Sequence, residues 1–419
     1  MTEAYDTAVI GAGAAGLAAG LTLQAAGKRF VVLEARGRIG GRAHTDHQSF
    51  PGIAFDRGGH WLHAAAVNPF TKIAGRLGFR YSSNMDWSMR TLLTGNGGIA
   101  GAAMLAENAL SFAAAYGKIA QAGREGRDIA FSAVLDQADP WYRLTRRTLS
   151  QITSHEPEDC SILDYARYID EGGDFPVEDG YGALVEANAA GLPVTLDCPV
   201  THIDWSGKGA ALTTPEGTVT ARSVIVAIPV NVLANSIRFT PALPADVLQA
   251  IDDCPMGHAE KIALLLDRPL DGFGHVYGDI IGGPPMTREP FNLHINPFGR
   301  PMVISHSGGA LARALAAAGE QAMIGLAIEA MVYAFGGDIR KRIIKGIATN
   351  WTSDPWARGA YSHCKPGRAG ARQLFGQQVG GRIHFAGEHC SPDFFSTIHG
   401  AHLSGIAAAG KVIDGTGRT

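Results

Sequence analysis

The feature that most constrains the fold is a glycine-rich turn near the start of the chain. A short run of β-branched and apolar residues from Thr7 to Ile10 leads into Gly11-Ala-Gly-Ala-Ala-Gly16, which is followed by an alanine-rich stretch. A strand, a glycine turn and a helix in this order form the first part of a parallel β-α-β unit. The pattern therefore predicts an α/β fold whose first turn can approach a dinucleotide.

Each residue of this turn has its own physical role. Gly11 allows a tight turn, Gly13 lets the backbone approach a pyrophosphate, and Gly16 lets the helix pack closely on the strand. Ala15 completes the turn. Glu34 ends a second apolar run, 18 positions after Gly16, where its carboxylate can accept hydrogen bonds from an adenosine ribose. We expect these residues to bind a dinucleotide; a glycine turn that binds nothing is the structural alternative.

Cations and further glycines follow Glu34 and favour FAD over NAD. Arg36 and Arg42 enclose a loop that contains Gly40 and Gly41. An NAD site does not need this loop, whereas the pyrophosphate of an extended FAD can be neutralised by an arginine such as Arg42. The alternative is a solvated cluster of surface arginines.

Composition excludes several other classes of protein. A chain of 419 residues, with 46% hydrophobic and 18% charged residues, is longer than one ordinary domain and has a globular composition. The net charge of −3 provides no basic field for nucleic acid. The 5 cysteines are scattered and form no CxxC pair, so neither a disulfide framework nor a metal site is indicated. With no secretory signal and no long apolar run, we expect a cytoplasmic protein without a membrane partner.

Several further motifs follow in order along the chain. They are Leu33 to Arg42, Asp56 to His63 with Asn68-Pro69, Glu178 to Leu184, Met256 to Ile262, Trp351 to Ser362, Gly381 to His389, and Ser396 to Gly405. Together they resemble the motifs of the flavin-containing amine oxidases, the family of the polyamine oxidases, monoamine oxidases and lysine-specific histone demethylases. The polyamine oxidases are the most similar in these motifs.

The resemblance implies an α/β fold with a Rossmann-like FAD-binding domain of the GR2 type and an interleaved α+β substrate-binding domain. The FAD-binding domain would comprise residues 1–65, 180–260 and 365–419. The substrate-binding domain would comprise residues 66–179 and 261–364. The chain has no insertion long enough for the coiled-coil arm of the histone demethylases, so a chromatin role is not expected.

The resemblance also implies further cofactor contacts. Gly59, His60 and Trp61 match the loop that passes under the flavin ring, and Val200 matches a residue whose backbone holds the adenine. Glu388 follows a buried strand, where its carboxylate can accept hydrogen bonds from ribityl hydroxyls.

A helix is predicted near the end of the chain. Thr397 and Ile398 begin a helix whose positive N-terminus would point at the flavin pyrimidine, although ordinary core packing is an alternative.

Monoamine oxidases attach FAD through a cysteine immediately before a wall tyrosine, and this chain has Ala360 there. We therefore expect FAD to be bound non-covalently.

Three residues match catalytic positions of the family. Lys261 would hold a water against flavin N5 and assist the reaction with oxygen. Tyr361 would form one wall of an apolar slot that favours the neutral amine. His63 would lie near the substrate amine and adjust its protonation. The alternatives are a lysine that reaches solvent, a core tyrosine and a buried structural histidine.

The implied reaction is hydride transfer from the carbon next to an amine nitrogen to flavin N5, with molecular oxygen as second substrate. The products are an imine or aldehyde, released amine or ammonia, and hydrogen peroxide. Thr397 stands where monoamine oxidases have a second tyrosine, which favours polyamines or other alkyl amines over aryl monoamines.

Several questions stay open at this level. An L-amino-acid oxidase, an amine dehydrogenase with another electron acceptor and a non-catalytic flavin-bound interaction protein remain alternatives, as do a monomer and a homodimer. Recognition of a polyamine needs carboxylates along its tunnel, for which the candidates are Glu156, Glu158, Asp159 and Asp174.

Overall fold

The computed structural model describes residues 5–83, 90–284 and 287–416. The contacts within the chain define two compact units, each made of separate segments. Unit 1 comprises Met1–Ser83, Arg167–Met256 and Pro355–Thr419, and unit 2 comprises Asn84–Ala166 and Gly257–Asp354. The domain boundaries given above for the cofactor and the substrate stay predictions.

Both units contain strands and helices. The strands of the chain are β1 (Tyr5–Ile10), β2 (Phe30–Leu33), β3 (Thr45–Asp46), β4 (Phe55–Asp56), β5 (Trp61–Leu62), β6 (Thr91–Gly95), β7 (Gly98–Ile99), β8 (Phe175–Pro176), β9 (Val194–Thr195), β10 (His202–Asp204), β11 (Ala210–Thr214), β12 (Gly217–Val226), β13 (Arg238–Thr240), β14 (Ala259–Leu266), β15 (Val276–Ile280), β16 (Phe291–Ile295), β17 (Met302–Gly308), β18 (Ile343–Ala348) and β19 (Ile383–Phe385). The helices are α1 (Ala14–Ala25), α2 (Pro69–Leu77), α3 (Ala102–Arg124), α4 (Tyr142–Thr153), α5 (Ile162–Tyr165), α6 (Tyr181–Asn188), α7 (Val230–Ser236), α8 (Ala245–Asp253), α9 (Gly309–Ala318), α10 (Glu320–Phe335), α11 (Ala371–Phe375) and α12 (Ile398–Thr416).

The main sheet of unit 1 has the strand order β13-β10-β11-β12-β1-β2-β9, and β19 pairs with the end of β12. The pairings of β1 with β2 and β12, of β2 with β9 and of β12 with β19 are parallel. The first half of β12 pairs antiparallel with β11, which in turn pairs antiparallel with β10. The sheet therefore combines a parallel core with an antiparallel meander.

The register of the parallel core brings several turns to one edge of the sheet. Ile10 at the end of β1 pairs with Leu33 of β2 and with Val226 of β12. The residues that follow these strands, Gly11 and Glu34 among them, therefore lie at the carboxyl edge, where α/β sheets bind ligands.

In unit 2, the larger sheet has the strand order β18-β14-β17-β16-β15-β6-β7. Alternate residues of β14, such as Ile262 and Leu264, belong to a buried cluster that also contains Met323 and Met331 of α10. In this cluster the apolar face of α10 packs against one face of the sheet. One side of the sheet therefore forms the core of unit 2, and the side chain of Lys261 lies on the other side.

The cysteines differ from the expectation in one respect. Cys254 and Cys364, 110 positions apart, form a disulfide. The backbone brings them together, because Met256 pairs with Ser362 and the Lys365 N–H donates to the Asp253 carbonyl at 2.9 Å. A pairing of this kind leaves no spacing signal in the sequence, and the cytoplasmic localisation stays a prediction.

Among the described residues, no helix combines the length and apolar character that crossing a membrane requires.

Candidate active site

The glycine turn between β1 and α1 has the geometry that each glycine predicts. Gly11 has a φ of +95°, which favours glycine. A Cβ on Gly16 would lie 1.8 Å from the Gly11 carbonyl oxygen, so the helix can meet the turn only if this residue is glycine. A Cβ on Gly13 would meet no protein atom within 4 Å. The space in front of Gly13 is therefore open to a ligand.

Glu34 lies at the end of β2 and faces this turn. Its carboxylate is buried, with 6% of the residue exposed. It accepts a hydrogen bond from the Ala12 N–H at 2.6 Å and another from the Arg36 N–H at 2.9 Å. A carboxylate has about four lone-pair sites, so acceptor capacity remains for ribose hydroxyls.

A second polar cluster surrounds Glu388, which follows β19. Its carboxylate forms an ion pair with Arg42 at 3.1 Å. It accepts hydrogen bonds from the Ser362 hydroxyl at 2.7 Å and from the Ser396 N–H at 3.0 Å. Burial raises the pKa of Glu388, but Arg42 and its other neighbours outweigh burial and lower that pKa to about 2. Glu388 is therefore a carboxylate at neutral pH, and it holds Arg42.

The loop that contains β5 contacts the start of α12. The His60 and Trp61 rings lie 3.4 Å apart between centroids, and a Cβ on Gly59 would lie 2.9 Å from Ile398 Cδ1. The Thr397 hydroxyl accepts a hydrogen bond from the Gly400 N–H at 2.9 Å, so Thr397 caps the helix. The side chain of Thr397 thus serves the helix, and a cofactor role for it stays a prediction.

His63 contacts Asp174, at 2.8 Å between His63 Nδ1 and Asp174 Oδ1, and the two form an ion pair when His63 is protonated. The His63 ring lies 5.7 Å from the Trp61 ring. Burial lowers the pKa of His63, but Asp174 and then Asp170 outweigh burial and raise it above the ordinary value. Both side chains of the pair are about one-third exposed, at 36% and 33%. A ligand can therefore reach this pair.

Three other predicted residues lie in unit 1. Tyr361 is half-buried, and it directly precedes Ser362, whose N–H donates to Glu388 at 3.2 Å. Val200 is buried in the core on one side of the main sheet. Ala15 is buried in α1, and its carbonyl oxygen lies 2.0 Å from the position of a Cβ on Gly405 of α12.

Lys261 belongs to unit 2, where it is half-buried on β14. It lies directly opposite His306 on β17. Its N–H donates to the Thr349 hydroxyl at 2.8 Å, and its carbonyl accepts from the Thr349 N–H at 2.9 Å. Burial, Lys261 and Arg147 lower the pKa of His306 to about 3, so His306 is neutral.

The four candidate tunnel carboxylates differ in their surroundings. Arg146 pairs with Glu156 at 2.7 Å and with Glu158 at 2.6 Å, and Glu156 also accepts the Ala310 N–H. Asp159 is exposed. Only Asp174, of the four candidates, contacts a predicted catalytic residue.

The donor set fits FAD. The open face of Gly13, the buried Glu34 carboxylate and the Arg42 guanidinium supply a pyrophosphate approach, a ribose acceptor and a cation. The loop at Trp61 supplies an aromatic surface.

Sequence reasoning missed several partners of these residues. Ser396 begins the last motif and Asp170 precedes the motif that begins at Glu178, but their residue types alone do not indicate a partner. Arg372 lies outside every motif, so no sequence signal points to it.

Comparisons with known proteins identify the family of this chain. A family model described as flavin containing amine oxidoreductase matches residues 14–114 and 151–413. Polyamine oxidase 4 of Oryza sativa subsp. japonica is 29% identical, over 96% of this chain and 87% of that protein. Lysine-specific histone demethylase 2 of Homo sapiens is 28% identical, over 96% of this chain. This chain covers only 53% of that demethylase.

Solved structures share the architecture. A cyclohexylamine oxidase from Brevibacterium oxydans IH-35A matches with a TM-score of 0.80 and 21% identity, over 99% of this chain and 100% of that chain. A putrescine oxidase with redesigned cofactor binding matches with a TM-score of 0.77 and 21% identity, over 98% and 99%. The predicted fold class, with its Rossmann-like FAD-binding domain, is confirmed.

Proposed function

Because the chain belongs to the family of flavin containing amine oxidoreductases and is therefore an FAD-dependent amine oxidase, we propose that it oxidises diamines and polyamines. The proposed products are an aminoaldehyde, an amine or ammonia, and hydrogen peroxide. The observation that carries the choice of substrate is the pair of carboxylates around His63. The polyamine oxidases among the similar proteins also support it.

A second cationic nitrogen is the substrate feature that this cluster can recognise. Asp174 contacts His63, and Asp170 is close enough to both residues to influence the pKa of His63. Two carboxylates beside one imidazole attract an ammonium more strongly than they attract an uncharged alkyl group. A diamine or polyamine carries such an ammonium in addition to its reacting nitrogen.

The same cluster can control protonation. The reacting amine must be neutral, because an ammonium has no lone pair with which to form an iminium. The Asp174 carboxylate, which contacts His63 Nδ1, raises the pKa of His63, so His63 takes up a proton more readily than an isolated buried imidazole does.

The other predicted residues have complementary proposed roles. Tyr361 presents an aromatic surface that excludes water and favours the neutral amine, and Lys261 assists the reaction with oxygen. FAD, when bound, takes up the two electrons and the hydrogen that leave the carbon next to nitrogen.

The test is anaerobic mixing of the purified holoenzyme with a panel of amines while flavin absorbance is followed. We expect putrescine, spermidine or spermine to bleach the flavin at least about tenfold faster than cyclohexylamine at equal concentration, which corresponds to about 1.4 kcal/mol. Bleaching by L-amino acids alone, or by a methylated lysine peptide alone, would contradict the polyamine proposal. Rapid bleaching followed by very slow reoxidation in air would identify a dehydrogenase.

A separate prediction concerns how FAD is attached. Because Ala360 replaces the attachment cysteine of the monoamine oxidases, we expect acid precipitation to release all of the FAD into the supernatant. The measurement is the visible spectrum of pellet and supernatant. Yellow colour that stays with the washed pellet would mean a covalent bond elsewhere.

A further inference from the structure

A buried guanidinium lies beside the segment that carries Tyr361. Arg372, in α11, is only 1% exposed. Its guanidinium carbon lies 4.2 Å from the centre of the Phe395 ring. A buried charge is costly unless it is paired and hydrogen-bonded, so the contacts of Arg372 indicate its role.

The donors of Arg372 converge on Ser362. Nη1 donates to the Ser362 hydroxyl at 2.9 Å, and Nη2 donates to the Ser362 carbonyl at 3.1 Å. The same hydroxyl donates to Glu388 Oε2 at 2.7 Å. The Ser362 hydroxyl therefore bridges a buried cation and a buried carboxylate, and each contact is a charge-assisted hydrogen bond.

The peptides on both sides of Tyr361 are attached to this cluster. Arg42, paired with Glu388, donates to the carbonyl of Ala360. The N–H of Ser362 donates to Glu388 at 3.2 Å. The backbone of Tyr361 is therefore held from both sides by the same ion pair.

We propose that Arg372 is a positioning residue that acts through Ser362. It couples the pair of Arg42 and Glu388, at which we expect FAD to bind, to the peptide that carries Tyr361. Its effect on amine binding rests on the proposed function, whereas its effect on FAD affinity does not.

The first test measures FAD affinity by titrating apoprotein and following the quenching of flavin fluorescence. Ser362→Ala and Arg372→Met are each expected to weaken FAD binding about tenfold to a hundredfold. Combined, they are expected to cost little more than either alone, because they remove the same bridge. Arg372→Lys should restore part of the affinity. The matched control is Arg368→Met, since Arg368 is mainly exposed and lies 3.5 Å from Asp253.

The pH dependence of FAD affinity separates positioning from a general loss of structure. Burial raises the pKa of Glu388, while Arg42, His389 and Arg372 lower it. Without the Arg372 charge, this pKa rises, and Glu388 takes up a proton at higher pH. Arg372→Met should therefore lose FAD on mild acidification at a pH where the wild-type protein and Arg368→Met retain it.

In Arg372→Met, the KM of the best amine should also rise more than kcat falls. The substitution shifts Tyr361, which contacts the amine, and leaves the chemical step unchanged. Two results would overturn the proposal. One is an unchanged pH dependence of FAD affinity in Arg372→Met despite a lower Tm. The other is full additivity of the two substitutions. If no amine reduces the flavin in any variant, only the proposed function fails, and the FAD titrations still decide the coupling.

Discussion

Replacing Gly13 with alanine is expected to abolish FAD binding while the apoprotein still folds. The added Cβ meets no protein atom within 4 Å, so the chain itself tolerates it. The methyl group would occupy the space through which the turn approaches the pyrophosphate. Because Gly13 is also the N-cap of α1, we expect a loss of at most about 1 kcal/mol in the free energy of unfolding of the apoprotein.

The matched substitution Gly16→Ala should instead lower the stability of the apoprotein. Its Cβ would lie 1.8 Å from the Gly11 carbonyl oxygen and 2.9 Å from the Gly11 carbonyl carbon. Backbone atoms cannot rotate away, so we expect the apoprotein to lose at least about 3 kcal/mol of stability. Denaturant unfolding of apoprotein and FAD titration together distinguish the two variants.

Gly117→Ala provides the control for alanine substitution. Gly117 lies in α3, where a Cβ would also meet nothing within 4 Å, and alanine should stabilise the helix by up to about 1 kcal/mol. Wild-type FAD affinity in Gly13→Ala would show that the pyrophosphate does not approach this turn.

Replacing Asp174 with asparagine should reduce kcat/KM for the best polyamine by about tenfold to a hundredfold. The substitution removes a charge-assisted hydrogen bond to His63 and one carboxylate that can attract a second ammonium. For cyclohexylamine, which has one nitrogen, the loss should be smaller. Glu171→Gln is the control, because it removes an exposed carboxylate from the same loop. Equal losses for both substrates would contradict recognition of a second cation.

The pH profile of Asp174→Asn should shift in a defined direction. Asp174 is the main group that raises the pKa of His63 against the effect of burial. Without it the pKa of His63 falls, and His63 becomes neutral at lower pH. An ionisation of His63 in the profile of kcat/KM should therefore move toward acid. An unmoved profile would mean that His63 does not control the protonation that limits the reaction.

Much of unit 1 could be predicted from local sequence. The turn from Gly11 to Gly16 and the carboxylate Glu34 lie within one β-α-β unit, so strand period, helix period and glycine spacing are sufficient to place them. The helix predicted to begin at Thr397 and Ile398 begins at Ile398, because the residues that start it are also local in sequence. The family resemblance then supplied the distant motifs in their order.

The partners of those motifs could not be predicted in this way. Asp174 was one of four candidate carboxylates, and only the pairing with His63, 111 positions away, distinguishes it. Glu388 and Arg42 are 346 positions apart. Arg372 is in no motif at all. Such contacts depend on which loops the sheet order brings to one edge, and no spacing in the sequence records this.

The sequence by itself determined the local geometry of the glycine turn and its approach to a dinucleotide, because both follow from residues a few positions apart. The tertiary structure alone decided how the charges are shared. A carboxylate such as Glu388 is free to accept a ligand, to hold an arginine or to anchor a peptide. Which of these roles it has depends on the hydrogen-bond donors that folding buries beside it, because an unpaired buried charge is too costly to persist.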